Sequence, residues 1–175
     1  MPAVITMIAW AGARLLAEDP ATRADRVGFP ADYPRTFTAV RMVNKVKPQL
    51  FATIYANAVA ANVQRTAELP YPNGSVIVME WAQPQKNGDG TLKTDANGLW
   101  LKGEVVRVDV MRREPGYGNR YGADRAGEWE FASYLPDGKF KIPPAESISC
   151  AKCHTTATAA RDFVFQGRFP PLKAD

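Results

Sequence analysis

Five consecutive residues near the C-terminal end, Cys150-Ala151-Lys152-Cys153-His154, limit this 175-residue chain more than any other feature. The chain holds two cysteines and one histidine, and this run contains all three. A C-x-x-C-H run is the attachment signature of haem c. Its two thiols add across the haem vinyl groups, and the following imidazole meets the iron from the proximal side. One covalent haem would consume both cysteines and leave no disulfide. It would also leave no second histidine for the opposite iron face.

Other uses of these residues fit less well. A zinc site built on Cys150, Cys153 and His154 needs a fourth ligand, usually from a second cysteine or histidine cluster, and the chain has none. A thioredoxin-like redox pair belongs at the start of a helix that follows a buried strand, early in its domain. Here the run comes late and follows Lys141-Ile142-Pro143-Pro144-Ala145-Glu146.

The length suits one domain with a real core, and 46% apolar against 23% charged residues places it among soluble globular chains. A formal charge of +4 is mild, and its basic residues are dispersed, which argues against nucleic acid. A docking face for an acidic redox partner protein stays open beside an ordinary solvated surface. The apolar run Ala3 to Ala17 is too short to span a membrane. It reads either as the remnant of a secretory leader or as an amphipathic first helix. Residues 1–32 are accordingly taken as a leader remnant or N-terminal arm, and 33–175 as a single haem-binding domain. Covalent haem attachment takes place outside the bacterial inner membrane, so the expected compartment is the periplasm.

β-branched and aromatic residues predict strands over Thr36–Val43 and Leu50–Ala56. Asn57 is a candidate N-cap for a helix over Ala58–Leu69, stopped by Pro70-Tyr71-Pro72-Asn73-Gly74. In the strand Ser75–Trp81, alternation puts Ile77, Met79 and Trp81 on one face and Val76, Val78 and Glu80 on the other. A polar connection over Gln83–Gly98 reads as a hairpin link, since it lacks the terminal Glu and flanking helices of a calcium loop. The strand Trp100–Arg113 sets Val106, Val108 and Val110 against Arg107, Asp109 and Met111. A further strand covers Gly127–Tyr134, and a short helix carrying the cysteine motif runs through Ala160. Four or five strands with one good helix predict an α+β domain, predominantly antiparallel β-sheet. Most small c-type cytochromes are helical with this motif near the N-terminus, so a sheet followed by the motif is a different architecture.

That arrangement resembles the cytochrome P-460 and cytochrome c′-beta superfamily. The matching pieces are Thr53 to Asn57, Asn73 to Val78, Gly127 to Phe131, Cys150 to His154 and Asp162 to Phe165, in that order. The resemblance implies an antiparallel sheet, often dimeric, cradling one haem held by His154, with the distal side open or water-occupied. Members with the full P-460 equipment oxidise hydroxylamine and cross-link a lysine to a haem meso carbon. The c′-beta members bind nitric oxide or carbon monoxide without the cross-link. Met79 stands where that lysine is expected, and a thioether cannot form the amine-to-carbon bond. Ala52 occupies the position of an expected pocket arginine, so the pocket should lack one. In the preferred register the position of the distal carboxylate falls on Val108, and a one-residue slip, which would swap faces, puts it on Asp109.

Met79 has three readings: filler of a core gap, lining of the haem pocket, or sixth iron ligand in a His/Met electron carrier. Asp109 is either solvent-facing or a pocket carboxylate able to move protons to a ligand. Trp81, Trp100 and Trp129 are expected in the sheet core, and Phe37, Phe51 and Phe131 are candidate caps for the distal pocket. The expected function is a mono-haem cytochrome that binds nitric oxide or carbon monoxide and reacts with hydrogen peroxide. Hydroxylamine or nitric-oxide oxidation without the cross-link, and plain electron transfer, are the alternatives.

Overall fold

A computed structural model describes residues 25–142 and 146–165. Its frame is a six-stranded sheet in which each strand pairs antiparallel with its sequence neighbour. The strands are β1 (Thr38–Lys45), β2 (Leu50–Ala56), β3 (Val76–Pro84), β4 (Lys102–Arg113), β5 (Trp129–Tyr134) and β6 (Phe140–Ile142). One-turn helices α1 (Tyr33–Thr36) and α2 (Ala58–Ala61) and the eight-residue α3 (Ile148–Thr155) complete it, with short 3-10 turns between. The α+β, mostly antiparallel architecture is the one the sequence predicts. The apolar run Ala3–Ala17 lies outside the described residues. Among those described, no helix is long and apolar enough to cross a membrane.

Period-two alternation sorts the sheet into two faces, each with its own core. On the far face, Val76, Val78, Val108, Val110 and Tyr134 pack with Val27 and Tyr33 from the segment before β1. Glu80 is buried there as well, taking the Tyr33 hydroxyl at 2.5 Å and the Lys102 ammonium at 2.6 Å. A buried carboxylate needs such partners, because stripping its water without replacement costs several kcal/mol, about 3–5 when one partner of a buried pair is removed. On the near face, Ile54, Ile77, Met111, Phe131 and Trp129 pack under α2, α3 and the 3-10 turn Asn119–Asp124. The functional segment lies on this near face.

Several expectations need correction. The helix after Asn57 is one turn, Ala58–Ala61, and does not run to Leu69. Asn57 does cap it, its side chain accepting from the Ala60 N–H at 3.0 Å. Beyond Val63, which is buried, the stretch Gln64–Glu68 is polar and exposed, so a longer helix would have no second apolar turn to bury. Instead Glu68 folds back, and its carboxylate takes the Gln64 and Arg65 N–H groups. Thr36 ends α1 instead of opening β1, and Lys141-Ile142 belongs to β6 instead of a loop. The connection after β3 is a pair of tight turns with bridges Lys86–Leu92 and Thr94–Trp100. Trp100 therefore sits on that arm, part-exposed, while Trp81 and Trp129 are in the core.

Candidate functional site

The cysteine motif occupies α3, where spacings of three and four residues bring Cys150, Cys153 and His154 to one side of the helix. Ala151, fully buried, seats the helix against β5 and the 3-10 turn. Lys152 and His154 fall in its last turn, where positive charge suits the exposed carbonyls. All three motif side chains line a cavity of about 310 Å³ between α3 and the near face of the sheet. Its sheet wall is apolar, made mainly by Ile54, Ile77, Met79, Met111 and Phe131. A second cavity of about 250 Å³ adjoins it over β1–β3 and shares Ile54, Met79 and Phe165.

His154 is oriented by its surroundings. Its Nδ1 lies 2.8 Å from the Phe163 carbonyl oxygen. A carbonyl only accepts, so Nδ1 carries the proton, and in the neutral ring Nε2 keeps the lone pair a metal needs. Phe131 packs on the imidazole at 4.6 Å between centroids and Phe165 meets it edge-on at 5.0 Å. The Phe163 carbonyl owes its position to an unusual bend after α3, in which Thr158, Asp162 and Phe163 all adopt positive φ (66°, 46° and 60°). Residues with a Cβ avoid that region unless the surroundings hold them there. Asp162 is the clamp: its carboxylate takes the Tyr71 N–H at 2.9 Å and lies 3.3 Å from the Arg113 guanidinium. Its carbonyl takes the Trp129 indole N–H at 2.9 Å. Burial pushes the Asp162 carboxyl above its usual range, against the pull of Tyr71 and Arg113. Gly127 makes room, since a Cβ there would stand 3.0 Å from the Phe163 ring.

Sheet register places the remaining candidates. Arg41, Ile54, Met79, Asp109, Ser133 and Ile142 are successive cross-strand partners, so they form one row across all six strands. Met79 lies in the middle of that row and lines both cavities. Asp109 is on the cavity face with its side chain 35% exposed, and Val108 is buried on the other face. The β4 carboxylate that lines the cavity is Asp109, whereas Val108 does not reach it. Its oxygens accept from the Trp81 indole N–H and the Ser133 hydroxyl, both at 2.6 Å, and Oδ2 lies 3.1 Å from Arg107 Nε. The expectation of a pocket without arginine is overturned, because Arg107 comes from β4 instead of the Ala52 position. Its guanidinium lies over the Trp81 ring, 4.6 Å from the centroid. Alternation had put Arg107 beside Asp109 and Met111; what it lacked was any sign that this face was the cavity. Phe131 lines the cavity, whereas Phe37 packs on the far face.

A zinc reading gains nothing here, since among the described residues no three His, Cys, Asp or Glu side chains gather closely enough to hold a metal ion. Both cysteines are free thiols, Cys153 exposed and Cys150 part-buried. Burial, then the Asp109 charge, push the Cys150 thiol above its ordinary value. A sequence model of the family described as cytochrome P460 matches residues 30–166. The chain belongs to the cytochrome P460 family. No curated protein matched the sequence. As a member of that family it is a haem-binding cytochrome, and the site fits the group on three counts. The cavity wall is apolar, two thiols and an imidazole share one helix side at its rim, and the imidazole tautomer is set for a metal at Nε2.

Proposed function

We propose that this P460-family chain is a periplasmic, mono-haem c-type cytochrome whose iron is open on its distal side. In this reading Cys150 and Cys153 bond the haem. Each thiol adds across a vinyl C=C, sulfur to one carbon and hydrogen to the other, so attachment needs no oxidant. His154 Nε2 is the proximal iron ligand. The group supplies an iron that takes nitric oxide or carbon monoxide when ferrous and meets hydrogen peroxide when ferric. The single observation that carries the reading is the Phe163 carbonyl on His154 Nδ1, a bond that makes the imidazole a stronger donor and fixes its plane.

The chain's own residues then do three things. Phe131 and Phe165 hold the imidazole ring from two sides. Ile54, Ile77 and Met111 keep water from the sheet wall. Met79 supports the ligand-binding reading as a wall residue, because a thioether offers neither the amine of a cross-link nor a proton for hydroxylamine chemistry. Its central position also keeps a His/Met electron carrier in view as the second reading. A redox partner protein and a homodimer belong to the same proposal, with the sheet edge at β1 and its exposed Met42 as the favoured self-contact.

Absorption spectra of the ferric and ferrous protein, with and without carbon monoxide, test the iron. A high-spin ferric spectrum and prompt uptake of carbon monoxide are expected. A low-spin spectrum indifferent to carbon monoxide would move Met79 onto the iron and favour the carrier. Covalent attachment is read separately: haem should stay with the denatured chain through acid–solvent extraction and be lost from a Cys150→Ser, Cys153→Ser double variant.

A further inference from the structure

We propose that Arg107 makes this cavity a site for a small planar oxyanion such as nitrite, an inference that rests on the open-iron reading and adds a substrate class to it. The cavity wall offers a ligand little besides hydrocarbon, and the charged side chains lining it away from α3 are Arg107 and Asp109. The two are not equivalent. Both Asp109 oxygens already accept hydrogen bonds, Oδ2 from Trp81 and Oδ1 from Ser133. Arg107 is held at its inner end only, by the Asp109 charge 3.1 Å from a buried Nε that makes no hydrogen bond, and by the indole under its plane. Its terminal Nη atoms hydrogen-bond to no described residue.

A guanidinium held this way is an anion fork with its ordering already done. Two parallel N–H groups match the two oxygens of a planar oxyanion, and charge-assisted bonds of this type are about twice as strong as neutral ones. An anion entering an apolar cavity loses its water and must find such a partner. A neutral diatomic needs none. Asp109 and Trp81 are then positioning residues for Arg107. The site is also close to the attachment point, since Arg107 and Asp109 line the same cavity as Cys150.

The test compares nitrite binding to the ferric holoprotein with carbon monoxide binding to the ferrous holoprotein, both by absorption titration. Wild type, Arg107→Met and Arg107→Lys are compared. The expected result is a loss of about tenfold or more in nitrite affinity for Arg107→Met. Arg107→Lys should recover part of it, because the charge returns without the fork, and carbon monoxide affinity should stay within about twofold. The stretching frequency of bound carbon monoxide gives a second readout and should rise in Arg107→Met as the positive field is removed. A nitrite loss smaller than threefold, or an equal loss for both ligands, overturns the inference. Wild type that takes carbon monoxide but not nitrite also overturns it while leaving the open iron intact. Wild type that takes neither ligand removes both.

Discussion

Asp162 shows how much of the site depends on a residue that never reaches the cavity. Its carboxylate and carbonyl hold three partners, and its positive φ turns the next carbonyl toward His154. Asp162→Ala should cost about 1–3 kcal/mol, since the buried Tyr71 N–H loses its acceptor and Arg113 a neighbouring counter-charge. The midpoint of denaturant unfolding measures that. The same variant should raise the reduction potential, because an imidazole without its Nδ1 hydrogen bond donates less to ferric iron. An unchanged potential in a destabilised protein would confine Asp162 to a structural role. At this scale the sequence showed the ligands plainly and their orientation not at all. Cys150, Cys153 and His154 are legible because covalent chemistry demands one spacing. The Phe163 carbonyl is a backbone group in a bend that no side-chain pattern announces. Asp109 and Arg107 were legible as a same-face pair, but which face met the cavity depended on α3 docking over the sheet, a long-range event.

Elements were readable where burial and local preference agreed. β2 runs over Leu50–Ala56 as predicted, since a strand buried almost throughout has no competing pattern. The helix after it failed because an Ala-rich start invites helix while the polar residues beyond Val63 give it nothing to pack. What remains of α2 works as a connector. Asn57 accepts the Ala60 N–H at 3.0 Å and the Val76 N–H at 3.1 Å, and its amide donates to the Gly74 carbonyl at 2.8 Å. One side chain thus ties the end of β2 to the start of β3. Asn57→Ala should destabilise by about 1–2 kcal/mol, the upper part of the range for a lost N-cap. A shift in unfolding midpoint below a few tenths of that would mean the strands hold this corner unaided. Asn57→Asp should recover the cap to Ala60 but not the bond to Gly74.

Across the whole molecule, five of the six tyrosines are buried enough to resist ionisation: Tyr33, Tyr55, Tyr71, Tyr121 and Tyr134. Desolvation is the main cause in each, and it pushes Tyr121 from 10.0 to about 12. The unfolded chain releases these protons near pH 10.0, so above that value the folded state binds more protons than the unfolded one. Stability should therefore be unaffected by these groups below pH 10.0 and fall as the pH rises toward about 12 and beyond. Tyrosinate absorbance for this set should appear together with unfolding. Its gradual appearance on the intact protein near pH 10.0 would sink the prediction.

The order of the strands along the chain has a consequence in time. All six precede the Cys150–His154 segment, so in a chain that emerges N-terminus first, from a ribosome or an export channel, the sheet's strands arrive before the helix that completes the cover of the near face. Until that helix follows, part of an oily surface stands uncovered. The interval is a defined window for aggregation or for chaperone capture, and the arrival of the last helix is what closes it.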